Sequence, residues 1–170
     1  MKKIRHFAYG SNMSSRRLKH CTRAPSALLV GVGSIQSHRL TFKKKSQDGS
    51  GKCDAQITCN PRDRVFGVIW EIPPGEKKQL DSKEGLGHGY AEKTVDVTVG
   101  SQTISAVMYY ATDPDEDVSL RPYHWYKRHV IVGAREHRLP EEYIACLETV
   151  PSIDDQDADR IAKETALYEG

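Results

Sequence analysis

The chain has 170 residues, of which 38% are hydrophobic and 28% are charged, and its formal net charge at pH 7 is +2. That length is sufficient for a substantial hydrophobic core, so a single domain over residues 1–170 is expected. The small net charge gives no reason to expect a nucleic acid or a membrane surface as a partner. No apolar run reaches the roughly 20 residues that cross a bilayer, and the N-terminus lacks a signal-peptide pattern. These features predict a cytoplasmic protein.

The cysteines and histidines form no recognisable chemical motif. The four cysteines, Cys21, Cys53, Cys59 and Cys146, are scattered without a Cys-x-x-Cys pair, which predicts reduced and mostly buried thiols. The seven histidines contain no His-x-x-x-His pair, so a catalytic metal is not expected. Segments of the Gly-x-Ser-x-Gly and Gly-Lys-Ser types are also absent, which argues against a serine hydrolase and a phosphate-binding loop.

The sequence changes character abruptly between residues 4 and 13. Residues 4–9 are mostly apolar and aromatic, which predicts a buried strand, and Gly10, Ser11 and Asn12 interrupt it. A short helix is predicted over residues 14–18. A strand, turn and helix in this order would present several backbone N–H donors together, which suits a carboxylate or a developing oxyanion. The same pattern is typical of an ordinary turn, so the residues alone leave both interpretations open.

The region from residue 27 to 111 carries strand patterns. Residues 65–70 are nearly all apolar, which predicts a central strand covered on both faces. Residues 94–99 alternate between polar and apolar, and the turn at residues 100–101 makes them one arm of a hairpin. Residues 43–51 are predicted to form a polar loop. The strands predicted after the opening one are residues 27–35, 38–42, 55–59, 65–70, 94–99 and 103–111.

Helix signals separate and follow these strands. Residues 76–84 are helix formers with only Leu80 to anchor them, which predicts a short helix on the surface. Prolines or an aspartate at the start, and apolar residues at helical spacing, predict further helices at 122–136, 140–150 and 154–168. The apolar stripe of the first of these is predicted to face the core, with a homodimer face as the alternative. Six or so strands followed by three helices predict an α+β fold, a mixed, mostly antiparallel β-barrel with flanking C-terminal helices.

A carboxylate before the glycine-rich loop is a candidate for chemistry. Glu84 is the last residue of the predicted helix, and Gly85, Gly87 and Gly89 follow it. The helix dipole disfavours a carboxylate at a helix C-terminus. The ordinary interpretation is a surface glutamate. If the side chain points into a pocket instead, burial should raise its pKa and suit it to general acid/base catalysis.

Three segments, in the same order, resemble the γ-glutamylcyclotransferase family. Residues 7–13, FAYGSNM, are similar to its signature opening, and residues 81–85, DSKEG, look like the segment that carries its catalytic glutamate. Residues 126–136 and 139–143, YKRHVIVGARE and LPEEY, are similar to a helical segment of the animal enzyme. Each motif is short, but the three together are specific, and the match runs from residue 4 to about residue 150.

The resemblance implies a compact barrel with flanking helices and an enzyme that needs no cofactor. Such an enzyme would act on a small-molecule γ-glutamyl amino acid or γ-glutamyl amine and release 5-oxoproline. Carried over position by position, the general acid/base is Glu84. The residues implied to contact the substrate are Phe7, Ala8, Tyr9, Gly10, Ser11, Tyr126 and, if the glycine loop is shortened by one residue in the alignment, Tyr90.

Two departures from the family pattern leave the identity of the leaving group open. His6 stands where the animal enzyme has an aromatic residue, and residues 87–89 differ from its loop. A cyclotransferase for a γ-glutamyl-lysine-type amine or a biosynthetic intermediate is therefore an alternative, as is a non-catalytic binding module of the same fold.

The implied reaction assigns a task to each motif. The substrate's own α-amine would attack its γ-carbonyl carbon, while Glu84 takes a proton from that amine and returns one to the departing nitrogen. The backbone amides around residues 9–11 would hold either the oxyanion or the substrate's α-carboxylate. The sequence leaves these two uses of the amides open.

Overall fold

The computed structural model describes residues 3–115, 117 and 119–169. The strands in this part of the chain are β1 (Ile4–Ala8), β2 (Leu28–Gln36), β3 (His38–Lys45), β4 (Gly51–Ile57), β5 (Arg64–Ile72), β6 (Tyr90–Val99) and β7 (Gln102–Ala111). Its α-helices are α1 (Ser15–Leu18), α2 (Pro74–Glu84), α3 (His124–Glu136), α4 (Glu141–Thr149) and α5 (Ala158–Thr165). Short 3-10 helices at Ser11–Met13 and Ala166–Tyr168 precede α1 and follow α5. None of the helices described is long and apolar enough to span a membrane.

Five of the strands close into a barrel in the order β1, β5, β2, β6, β7. β1 pairs antiparallel with β5 and parallel with β7, so the sheet is mixed. β3 and β4 pair with each other in a separate two-stranded sheet. The predicted mixed, mostly antiparallel barrel with flanking helices is therefore confirmed.

β5 is a barrel strand that is largely buried. It is hydrogen-bonded to β1 on one side and to β2 on the other. Val65, Val68, Ile69, Trp70 and Ile72 are all buried, because one face of the strand packs inside the barrel and the other lies under the helices. The prediction of a strand covered on both faces is confirmed, with bounds slightly wider than residues 65–70.

α3 packs against the turn that follows β1. A Cβ atom added to Gly133 would lie 2.4 Å from the backbone nitrogen of Ser14, so only glycine permits this close approach. Trp125, Val130 and Ala134 on the same helix are buried in the core. The apolar stripe of this helix therefore contributes to the core, as predicted.

Several local predictions need correction. β3 continues through Lys45, because Lys44 and Lys45 pair with Lys52 and Gly51 of β4 after a shift in register, so the polar loop is shorter than residues 43–51. β4 begins at Gly51 rather than at residue 55 and ends at Ile57. α5 begins at Ala158 rather than at residue 154, with the side chain of Asp157 accepting a hydrogen bond from the Arg160 amide at its start.

The prediction of mostly buried thiols is wrong. Only Cys53 is buried among the four cysteines, and all four are free. Cys21 lies in the turn after α1 and Cys59 lies beyond the end of β4, so neither is covered by a neighbouring layer. Cys146 lies on α4 between the buried residues Ile144 and Leu147 but faces solvent, because only one side of this helix contacts the core.

Candidate active site

A cavity opens beside the turn that follows β1. It is bounded by the end of β1, by the last turn of α2, and by side chains from β4, β6, β7 and α3. The residues that line it are His6, Phe7, Ala8, Tyr9, Gly10, Ser11, Asn12, Cys53, Glu84, Tyr90, Tyr109 and Tyr126. All eight residues implied by the family resemblance, Glu84 among them, thus lie around one cavity.

The end of α2 brings Glu84 to this cavity. Gly85 terminates the helix with a φ of 70°, and the amide of Leu86 donates to the carbonyl of Asp81 over 3.0 Å. This is a left-handed helix cap, which glycine adopts at little cost. The Glu84 side chain retains only 20% of its exposure, so it is not a surface glutamate.

The inner face of α2 carries a buried polar stripe. Lys77 is 4% exposed and forms ion pairs with Asp81, one turn further along the helix, and with Glu92 of β6. The Tyr109 hydroxyl donates to Asp81 over 2.6 Å. α2 is a surface helix with Leu80 buried, as predicted, but Leu80 is not its only anchor, because the buried Lys77 and its ion pairs also fix the orientation of the helix. Glu84 extends this stripe toward the cavity.

Glu84 forms a close ion pair. Its Oε1 lies 2.5 Å from Nη1 of Arg23, which also donates to the side-chain oxygen of Asn12 over 3.3 Å. Burial by itself would raise the pKa of Glu84, but the positive charges of Arg23 and Arg17 and the hydrogen bond from Asn12 outweigh it. The pKa of Glu84 is therefore lowered, opposite to the expectation from burial alone, and the group is ionised at neutral pH.

Two tyrosines fix the wall opposite Glu84. The amide of Cys53 donates to the Tyr126 hydroxyl over 3.0 Å, and the Tyr90 hydroxyl donates to the Cys53 carbonyl over 2.7 Å. Burial raises the pKa of both phenols well above the usual value, so both stay neutral. These contacts fix both rings and connect β4 to the rest of the cavity wall.

Cys53 is a structural part of this wall rather than a nucleophile. Burial raises the pKa of its thiol to about 12, so the reactive thiolate is scarcely populated at neutral pH. Its Cβ is also the atom closest to Gly10, since a Cβ added to Gly10 would lie 3.0 Å away. The turn after β1 can pass this close to β4 because residue 10 has no side chain.

The turn after β1 forms part of the cavity wall. Gly10, Ser11 and Asn12 all line it, and Ser11 and Asn12 are buried. The first backbone hydrogen bond of the 3-10 helix is donated by Met13 to the Gly10 carbonyl over 3.0 Å. Among the backbone–backbone hydrogen bonds of the described residues outside the regular helices and strands, none is donated by the amides of residues 10–12. Donors of this kind suit a carboxylate or an oxyanion.

A wider groove adjoins the cavity. Glu84, Tyr90 and Tyr126 line both spaces, so the groove leads directly to the carboxylate. Its other residues include the cationic side chains of Lys44, Lys52 and Lys83. Lys52 is paired with Asp48 over 2.8 Å, whereas Lys44 lies over the Tyr90 ring. The groove is therefore predominantly basic.

Some residues of the site were not predicted from the sequence. Asn12 lies within the opening motif and could have been included for that reason alone. Arg23 carries no local signal, because its partner Glu84 is 61 positions away. Tyr109 reaches the cavity from β7, and its contact with Asp81 depends on how α2 packs on the barrel. The signal for His6 in the sequence is its departure from the family pattern, and the structure shows that it lines the cavity.

Known proteins share this architecture. Residues 64–147 match the model of the AIG2-like family. γ-Glutamylcyclotransferase from Homo sapiens is 33% identical over 156 residues, covering 88% of this chain and 79% of that protein, and the Bos taurus protein of the same name is 31% identical over 153 residues with the same coverage. A solved structure named gamma-glutamyl cyclotransferase superposes with a TM-score of 0.84 at 29% identity, covering 99% of both chains.

The closed mixed barrel, with a cavity lined by the partly buried Glu84 and by the turn after β1, defines the class of fold that the solved gamma-glutamyl cyclotransferase structure shares. The human and bovine γ-glutamylcyclotransferases identify the family within this class. Each is more than 30% identical to this chain, and the match covers more than three quarters of its length. The chain belongs to the γ-glutamylcyclotransferase family.

Proposed function

We propose that this protein is a γ-glutamylcyclotransferase that converts a γ-glutamyl amino acid or γ-glutamyl amine into 5-oxoproline and the free amine. The names of its relatives suggest this activity. The observation that carries the proposal is the placement of Glu84, whose carboxylate lines the same cavity as the backbone turn at residues 9–11. A carboxylate that can accept a proton and a turn whose N–H groups can act as donors thus line one cavity.

The reaction joins two groups of one molecule. The substrate's α-nitrogen attacks its γ-carbonyl carbon, forming the ring C–N bond, and the bond from that carbon to the leaving nitrogen breaks. A proton leaves the attacking nitrogen and another reaches the departing one, so no further reactant is consumed. The cavity has only to hold the chain of the γ-glutamyl group in a folded conformation.

Glu84 is the proposed proton carrier. A carboxylate with a lowered pKa is a weak base toward an ammonium group, so a second effect is needed. The charges of Arg23 and Arg17 act on both partners, because positive charge near the site also disfavours the substrate's ammonium form. The arginines therefore help to produce the neutral amine that can attack, and Glu84 carries its proton to the leaving nitrogen.

The backbone amides of the turn after β1 are proposed to hold negative charge on the substrate. Preorganised N–H donors in a buried site are worth about 3 kcal/mol each when they face a developing oxyanion. The substrate's α-carboxylate is the other charge they could bind. The neutral phenols of Tyr90 and Tyr126 are proposed to shape the wall against which the γ-glutamyl chain lies.

The charge of the adjoining groove bears on the leaving group. A leaving amino acid carries a carboxylate, which would meet the cations of Lys44 and Lys83. A leaving group that ends in a cationic amine would meet like charge there. The groove therefore favours a γ-glutamyl amino acid over a substrate whose leaving group is purely cationic.

The test is a panel of γ-glutamyl amino acids and γ-glutamyl amines incubated with the wild-type protein. We expect equimolar 5-oxoproline and free amine, quantified by chromatography, with the highest kcat/KM for leaving amino acids. Binding of these compounds without product would instead identify a non-catalytic binding module and overturn the proposal.

A further inference from the structure

His6 is a buried polar residue of the cavity that the mechanism above does not use. It lies in β1 opposite Trp70 of β5, is 1% exposed, and lines the cavity. Its ring centroid lies 4.8 Å from that of Tyr109. Its Nδ1 atom has no hydrogen-bond partner within the described residues. A buried polar atom without a partner costs free energy, so its presence beside a cavity indicates a partner that arrives with a ligand.

The imidazole of His6 is neutral. Burial and the positive charge of Lys77 lower its pKa to about 3, although the negative charges of Glu84 and Asp81 act in the opposite direction. A neutral imidazole has one N–H donor and one acceptor nitrogen. It can therefore position a group by hydrogen bonding without adding charge to the site.

The position of His6 selects the part of the substrate that it can reach. His6 lines the inner cavity but not the basic groove, whereas Glu84, Tyr90 and Tyr126 line both. A leaving group that extends along the groove therefore places the γ-glutamyl group beside His6. The substrate's α-carboxylate requires donors, which the turn after β1 supplies, while the α-amine requires acceptors.

We infer that Nδ1 of His6 accepts a hydrogen bond from the α-amino group of the γ-glutamyl substrate and so orients the attacking nitrogen. The inference rests on the proposed function. A neutral acceptor suits this task, because a second carboxylate in its place would stabilise the ammonium form, which cannot attack. Holding the amine by Glu84 and His6 together would direct its lone pair at the γ-carbonyl carbon.

The test compares His6→Asn with His6→Leu. The two replacements have the same number of side-chain heavy atoms and the same branching at Cγ, so they are similar in shape, but only asparagine keeps a polar acceptor near the position of Nδ1. Two probes are used with each variant. γ-Glutamyl-alanine carries the α-amine, whereas N-glutaryl-alanine lacks it, cannot cyclise, and is assayed as a competitive inhibitor. Thermal melting checks that both variants are folded.

We expect kcat/KM for γ-glutamyl-alanine to be about tenfold lower in His6→Leu than in His6→Asn, as for the loss of one hydrogen bond. The inhibition constant of N-glutaryl-alanine should be the same in both variants. Equal kcat/KM values in the two variants would overturn the inference, as would a parallel change in the inhibition constant, which would assign His6 to cavity shape alone. Absence of turnover in the wild-type protein would instead refute the proposed function.

Discussion

Two partly buried glutamates of this protein form similar ion pairs but have different further surroundings. Glu84 and Glu164 each accept from an arginine Nη1 at 2.5 Å, and their side chains are 20% and 19% exposed. The remaining partner of Glu164 is the buried His129 at 3.0 Å, so this carboxylate joins α5 to α3. Glu84 instead faces an aromatic cavity with backbone donors. An ion pair, a lowered pKa and an adjoining cleft therefore do not distinguish a structural carboxylate from a candidate catalytic one, whereas the aromatic lining and the turn after β1 beside Glu84 do.

The largest difference between the two glutamates should appear in turnover. We expect Glu84→Gln to keep the fold and lower kcat for 5-oxoproline release by at least a thousandfold, because the amide cannot accept the amine's proton. Glu164→Gln is the matched control and should keep kcat within a few-fold. Rates are measured with γ-glutamyl-alanine, and circular dichroism checks the fold. Undiminished turnover in Glu84→Gln would refute the assigned role.

Removal of Arg23 should change the pH dependence of catalysis. Arg23 is a main reason that the pKa of Glu84 is lowered, so Arg23→Gln should raise that pKa. Because Glu84 acts in its ionised form, the acidic limb of kcat/KM should move to higher pH, and the rate at pH 7 should fall about tenfold. Arg23→Lys, which keeps the positive charge, should leave the acidic limb of kcat/KM closer to its wild-type pH. The charge of Arg17 remains beside Glu84 in this variant, as does the neutral imidazole of His6, on which Lys77 and Asp81 also act. An unmoved limb in Arg23→Gln would contradict this account.

Glu164 should instead matter for stability. Its pKa is lowered to about 2, since the hydrogen bond from His129 and the charge of Arg17 outweigh burial. A lowered folded-state pKa means stability that is present above about pH 4.5 and is lost as pH falls toward about 2. We expect Glu164→Gln to lower the free energy of unfolding by roughly 1 kcal/mol at pH 7 after solvent screening. Denaturant unfolding at several pH values should show the difference in free energy of unfolding between wild type and variant shrinking below pH 4.5. A difference that stays constant with pH would contradict this prediction.

The smallest effect should come from the lysines beside the two glutamates. Lys83 lines both the basic groove next to Glu84 and the cleft that contains Glu164, whereas Lys163 lines that cleft but not the groove. Lys83→Glu should raise KM for γ-glutamyl-alanine two- to threefold without changing kcat, because exposed charges are screened. Lys163→Glu should leave both constants unchanged. Equal KM values in these two variants would show that the groove does not hold the leaving carboxylate.

The barrel, Glu84 and the turn after β1 could be predicted from the sequence, whereas the ion-pair partners could not. The strands of the barrel could be predicted from the alternation of polar and apolar residues. The burial of both faces of β5 could be predicted from its nearly uninterrupted apolar run. Glu84 and the turn after β1 were implied by family motifs that are local in sequence. Arg23 and Lys77 could not be found in this way, because their partners are set by how α2 packs on the barrel. Burial alone gave the wrong direction for the pKa of Glu84, since the compensating arginines come from a distant segment.

The separate β3–β4 sheet has a consequence for solubility. A closed barrel has no free strand edge, so exposed backbone groups that could pair with another chain are confined to short sheets outside it. β3 ends in Lys43, Lys44 and Lys45. Charged lysines on an edge strand oppose pairing between molecules, because a second copy would bring the same charges alongside. These three lysines therefore oppose self-association through the β3–β4 sheet, which lies outside the closed barrel.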